Sequence, residues 1–154
     1  MTNTLSTRNK ILVVDDEDEL VGALLMRLRC AGFIVVSAGD GPTALIMAEK
    51  ERPDLIVLDV GLPGLDGYAV ARLLKANPNT EGIPIIFFTA RVTDEDIDTG
   101  WEVGATGFLA KIAGPGKIAG SDALLRAVTA TLDVWGKSVS ADGAAAMIGS
   151  QEPA

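Results

Sequence analysis

Histidine does not occur anywhere in this chain of 154 residues. Its absence removes Ser-His-Asp hydrolysis, HExxH zinc sites and any phosphohistidine carried by the chain itself. Cysteine is nearly missing too: Cys30 stands alone, so no internal disulfide forms, which suits a reducing cytosol. Positive charge is scarce, with 13 Lys and Arg against 21 Asp and Glu and a net charge of −8. An acidic surface repels phosphate backbones and the basic residues do not cluster, so direct nucleic-acid binding is not expected. Long apolar runs are also lacking. The longest, Ile11–Val14, Leu55–Leu58 and residues 83–88, fall far short of the roughly 20 residues that span a bilayer. The polar residues 1–9 hold no signal-peptide core. A cytoplasmic protein without membrane insertion is the expectation.

What is present is the composition of a globular chain, 48% hydrophobic and 22% charged, which excludes a disordered polymer. Its length suits one domain. Folding at that size hides roughly 68–70% of the extended chain's surface, enough for a core without metals or staples.

The short apolar runs do not alternate with polar residues, as expected of strands buried on both faces of a parallel sheet. Five strands are predicted: 10–14, 33–37, 54–58, 83–88 and 106–110. Helical spacing lies between them. Leu20, Leu24 and Leu28 form one stripe with Val21 and Leu25, off which lie Glu19, Arg27 and Arg29, and Gly32 supplies a left-handed end. A second helix covers 44–50 after Asp40-Gly41-Pro42. Val70, Leu73 and Leu74 mark a third, closed by Asn77-Pro78. Thr93 caps a fourth whose first turn is Asp94-Glu95-Asp96. Leu124, Leu125 and Val128 mark a fifth, capped by Ser121 or Asp122. Five strand–helix alternations with right-handed crossovers predict a doubly wound α/β domain with a five-stranded parallel sheet. Residues 133–154 carry no apolar period and are expected to form a flexible tail. Trp135 and Met147-Ile148 are the groups there that have an apolar side to dock.

In an open α/β sheet ligands gather at the carboxyl ends of the strands. There the sequence sets Asp15, Asp16, Glu17 and Asp18 after the first strand and Asp59 after the third. Thr89 follows the fourth and Lys111 ends the fifth. Two carboxylates about 4 Å apart repel by roughly 4 kcal/mol at an effective dielectric of 20. Such a cluster needs a cation or a proton. Oxygen ligands without His or Cys select a hard ion, Mg²⁺ first, with Mn²⁺ or Ca²⁺ as alternatives. A carboxylate beside such an ion, with an ammonium and a hydroxyl near it, is equipped to accept a phosphoryl group. The plainer reading makes Asp15 and Asp16 helix caps and Asp59 the start of a turn. Three acids at adjacent strand ends, together with Lys and Thr, weigh against it.

The stretches Ile-Leu-Val-Val-Asp-Asp-Glu (11–17) and Pro-Asp-Leu-Ile-Val-Leu-Asp-Val-Gly-Leu-Pro-Gly-Leu-Asp-Gly (53–67), followed by Thr89 and Lys111, resemble the receiver domain of bacterial two-component response regulators. The resemblance assigns residues 10–132 to the receiver domain and leaves 1–9 as a disordered lead segment. It implies a CheY-like, flavodoxin-like (βα)5 fold with strand order 2-1-3-4-5. It implies Asp59 as phosphoacceptor, with Asp16, Asp59 and the Gly61 carbonyl holding Mg²⁺ and Asp15 acting through a metal-bound water. Lys111 is then expected on one phosphoryl oxygen and Thr89 on another, and Phe108 matches the aromatic that turns inward behind the threonine. Gly61 and Arg91 match positions that tune phosphoryl lifetime: glycine leaves room for water, whereas arginine shields or anchors. The partners implied are a sensor histidine kinase or histidine phosphotransfer protein and a downstream protein. A single-domain signalling receiver is expected, catalysing at most its own phosphorylation and dephosphorylation.

Some residues depart from that pattern. Ile112 stands where a proline usually follows the lysine, and the connection 112–120 is longer than usual. Its Gly-Pro-Gly-Lys is no Walker A motif, which requires Gly at 111 and Ser or Thr at 118, where Lys111 and Ile118 stand. Gly100 in the fourth helix is read either as a source of mobility or as a surface accident, Trp101 as an exposed anchor or a packed ring, and Cys30 as a buried or half-buried thiol. Two other functions are weighed. One is a haloacid-dehalogenase-type phosphatase, in which the nucleophile precedes the acidic pair and an Asp stands where Gly61 does. The other is a docking module that has lost phosphorylation.

Overall fold

The computed structural model describes residues 9–90, 92–111 and 121–140. The chain alternates strictly: β1 (Lys10–Val14), α1 (Asp18–Cys30), β2 (Ile34–Ala38), α2 (Gly41–Glu51), β3 (Leu55–Leu58), α3 (Gly67–Lys75), β4 (Ile85–Thr89), α4 (Asp94–Glu102), β5 (Gly107–Ala110) and α5 (Ser121–Ser140). The five strands form one parallel sheet in the order β2-β1-β3-β4-β5.

Alternation of side chains along each strand divides the apolar runs between two cores. Leu12, Val14, Ile56, Leu58, Ile85 and Phe87 face one side, where Ala44 and Ala48 of α2 and Val70, Ala71 and Leu74 of α3 cover them. Ile11, Val13, Leu55, Val57, Ile86 and Phe88 face the other, under Leu24 and Leu28 of α1 and Leu124 and Val128 of α5. Because both faces are covered, these strands need no polar alternation.

The helix ends follow local chemistry. Gly32 adopts φ +100° and its N–H reaches the Arg29 carbonyl at 2.9 Å, closing α1. Asp40 and Asp66 cap α2 and α3 by accepting from the Thr43 and Ala69 N–H groups. Thr93 caps α4 in a complete capping box with Asp96.

Several expectations are corrected. β4 starts at Ile85 because Pro84 has no N–H and the Ile83 N–H turns back to the Thr80 carbonyl. Helix α5 continues through Ser140, so the boundary expected at residue 132 lies inside a helix. Residues 1–8 and 141–154, Met147 and Ile148 among them, fall outside the described residues, as does the side chain of Trp135. Ser121 is already helical in α5, and Asp122 in its first turn forms an ion pair with Arg27 of α1 instead of capping. Cys30 is exposed: two residues beyond Leu28, it points about 200° away from the buried stripe. Trp101 is exposed at 52%, whereas Gly100 is buried.

Candidate functional site

The chain leaves β1 for β2 on one side and returns for β3 on the other, which opens a crevice between the carboxyl ends of β1 and β3. Pairing of Val14 with Leu58 brings the next residues, Asp15 and Asp59, to the same level, and the Asp59 N–H donates to the Val14 carbonyl at 3.0 Å. Thr89 is the last residue of β4 and pairs with Ala110. The Lys111 N–H donates to the Thr89 carbonyl at 2.8 Å, extending that pairing by one step and turning the lysine onto the same rim. Ile112, at the place of the usual proline, lies outside the described residues. Strands β1, β3, β4 and β5, neighbours in the sheet, each deliver at least one site residue at their carboxyl end, β1 two.

Asp15, Asp59 and Thr89 are 3%, 7% and 4% exposed, against a mostly apolar set of buried residues. Asp16 is exposed beside them. One carboxylate oxygen from each of Asp15, Asp16 and Asp59 lies within 4.8 Å of the others. The Lys111 ammonium sits 2.6 Å from Asp15 Oδ2 and 3.5 Å from both Asp59 Oδ2 and Glu17 Oε1. Asp15 also accepts the Glu17 N–H at 3.0 Å, so it steadies the entry to α1, whose N-cap, Glu17, makes no side-chain cap of its own. The cap reading thus holds in part for Asp15, in addition to its place in the acidic cluster.

Acid exceeds base here, and the titration of Asp15 and Lys111 is shifted by it. Burial pushes the Asp15 carboxyl above its ordinary value, with the Asp59 charge adding to it, against hydrogen bonds from Lys111 and the Glu17 N–H. Burial alone would lower Lys111, but its hydrogen bond to Asp15 and the charges of Asp15, Asp59 and Glu17 outweigh it, so the ammonium is held above its usual value. The all-oxygen, anionic donor set fits a small hard dication, which would offset the surplus charge that one lysine leaves.

One residue at this site, Gly67, was not singled out from the sequence. A Cβ on Gly67 would lie 2.2 Å from the Asp59 carbonyl oxygen, so only glycine lets the start of α3 pass so close behind the acid. Its N–H also donates to the Val60 carbonyl at 2.9 Å. The signal was a glycine at the head of a helix, directly after the capping Asp66. Glu17, one of the acids that the sequence sets after the first strand, joins the cluster through Lys111. Gly61 stands in the open, with nothing within 4 Å of where a Cβ would be. Phe108 is half-buried, its ring tilted against Phe87 with centroids 5.5 Å apart. Arg91 and the connection 112–120 lie outside the described residues.

The family model described as the response regulator receiver domain matches residues 11–121. The chain belongs to that family. The receiver is 46% identical over 102 residues to the response regulator PleD of Caulobacter vibrioides, a match covering 66% of this chain and 22% of PleD. The chain thus spans about a fifth of that relative's length. Among solved structures, the chemotaxis protein CheY4 of Vibrio cholerae superposes with a TM-score of 0.72 at 30% identity, covering 80% of this chain and 98% of CheY4. The receiver domain of the sensor histidine kinase PA1611 from Pseudomonas aeruginosa, solved with a magnesium ion coordinated in its active-site cleft, superposes at 0.68 with 33% identity, covering 79% of this chain and 95% of that one. The CheY-like fold and its strand order are those expected for a receiver of two-component signalling. Among the described residues no helix is long and apolar enough to cross a membrane.

Proposed function

We propose that this receiver takes a phosphoryl group onto Asp59 from a phosphohistidine of a sensor histidine kinase or a histidine phosphotransfer protein, in a Mg²⁺-dependent step, and thereby switches a protein-binding surface. The observation that carries this reading is the placement of a buried carboxylate, Asp59, 3.5 Å from the Lys111 ammonium inside a three-acid cluster. Asp59 supplies the attacking oxygen: a P–O bond forms, the P–N bond of the donor imidazole breaks, and its electron pair returns to the ring nitrogen. The donor histidine lies outside these 154 residues, which have none.

Asp16, Asp59 and the Gly61 carbonyl are assigned to hold Mg²⁺ directly, with Asp15 reaching it through water. When bound, the ion neutralises charge on the transferring phosphoryl oxygens. Lys111 leaves its ion pair with Asp15 to meet one phosphoryl oxygen, and the Thr89 hydroxyl donates to a second. Movement of Thr89 then alters the packing of Phe108 and the surface around it. The open space at Gly61 admits water to the acyl phosphate, which favours a short phosphoryl lifetime. Arg91 is assigned as the second residue tuning that lifetime.

Labelling with acetyl phosphate or a cognate kinase in the presence of Mg²⁺ tests the assignment. Wild type should take up label and Asp59→Asn should fall to background. Equal labelling of the two would overturn the assignment to Asp59, and labelling of neither would leave a docking module that works without phosphoryl transfer. A pull-down with and without beryllofluoride then identifies the downstream protein.

A further inference from the structure

Gly100 sits in the second turn of α4, where glycine weakens a helix relative to alanine. It is nevertheless the residue of α4 that is fully buried. A Cβ on it would fall 2.6 Å from Cδ2 and 2.8 Å from Cε2 of Phe108, yet an ordinary 3.6 Å from Cδ2 of Phe87. Contacts under 3.0 Å essentially never occur for a real Cβ, so the edge of the Phe108 ring fills the room of a missing side chain.

The ring is held from behind as well. Phe108 tilts against Phe87, and Phe87 meets Tyr68 edge-on with centroids 5.4 Å apart. The Tyr68 hydroxyl reaches the carbonyl and the Oδ1 of Asp96 at 3.2 and 3.1 Å, in the first turn of α4. Helix α4 is therefore fastened at its start through Tyr68–Asp96 and in its middle by the ring on Gly100.

We infer that Gly100 is a positioning residue: its bare α-carbon is the seat that keeps the Phe108 ring between α4 and the sheet, so helix and ring move together. This rests on the proposed phosphoacceptor reading, in which a change at Asp59 reaches the surface through Thr89 and Phe108. It goes beyond that reading by naming the residue on α4 that receives the change. A close-packed seat of this kind is either filled or vacated, which gives the surface two discrete arrangements. A methyl group at position 100 would fill the seat permanently and expel the ring.

The test uses the full chain labelled with 4-fluorophenylalanine, which carries four phenylalanines, the Phe108 resonance being identified by its loss in Phe108→Ala. Spectra and urea midpoints are compared for wild type, Gly100→Ala, Phe108→Ala and the double variant, with and without Mg²⁺ and beryllofluoride. Gly100→Ala should move the unliganded Phe108 resonance toward that of exposed fluorophenylalanine and cut its response to beryllofluoride to less than half the wild-type shift. It should lower the urea midpoint in wild type but raise it in the Phe108→Ala background, where the seat is empty and only the helix gain remains. An unmoved resonance, or the same midpoint change in both backgrounds, would overturn the inference. If Gly100→Ala alone does not fold, folding of the double variant supports the seat and failure of both refutes it. A wild type that neither labels nor responds to beryllofluoride would refute the phosphoacceptor reading, while the unliganded spectra and the urea cycle still decide the seat.

Discussion

Lys111 is the residue on which the site's electrostatics turn. Its ammonium is 13% exposed and contacts a 3% exposed carboxylate at 2.6 Å. Removing one partner of such a pair leaves uncompensated buried charge, which costs about 3 kcal/mol. Lys111→Met should therefore lower metal-free stability by about 3 kcal/mol at neutral pH, most of it recovered with Mg²⁺ or at acid pH, as read from urea denaturation. A loss that neither Mg²⁺ nor acid recovers would mean that lysine serves packing and not charge. Asp15, Asp59, Thr89 and Lys111 were legible from the sequence because each follows an apolar run, and strand ends are where such sheets bind. Gly67 and Gly100 were not legible, since what they accommodate, the Asp59 carbonyl and the Phe108 ring, arrives from other segments.

Among the elements, α4 depends most on local devices. Its first turn holds Asp94, Glu95 and Asp96, well placed against the positive end of the helix, and its capping box is complete. Its one buried residue is Gly100, which has no side chain, so little side-chain packing supports it. Thr93→Ala should cost about 1 kcal/mol and raise amide exchange in α4 well above any change in α3. Equal exchange in both helices would assign the stability of α4 to packing instead. Strand and helix existence was readable because apolar period and cap chemistry are local. The ends were less so: the start of β4 depends on Pro84, and the extension of α5 past residue 132 runs through Gly136 and polar residues that weaken the apolar signal.

For the molecule as a whole, folding, protonation and metal binding are linked. Asp15 binds its proton more tightly folded than unfolded, so its ionisation opposes folding. That penalty is absent below its unfolded value and builds as pH rises through the raised folded value. The raised Lys111 contributes stability below the ordinary lysine value, which is lost as pH climbs through the folded one. Metal-free protein should thus lose stability with rising pH at both ends, and Asp15→Asn should remove the acid-side part. Mg²⁺ at a hundred times its dissociation constant should add about 2.7 kcal/mol at neutral pH. The gain should shrink as acid protonates Asp15, because ligands must be deprotonated. Urea titrations with and without Mg²⁺ across pH check this, and a pH-independent Mg²⁺ gain would remove Asp15 from the metal site.

The order of residues along the chain sufficed for the alternation of elements, the two-sided burial of the strands and the acids at one rim. Each of these follows from side-chain period and from where a parallel strand must end. Folding in three dimensions set the rest: how far Lys111 reaches, which glycines touch something, and that Trp101 faces outward. Those properties depend on distances between segments dozens of residues apart. No local pattern encodes such distances, because they exist only once helices on both faces have packed against the same sheet.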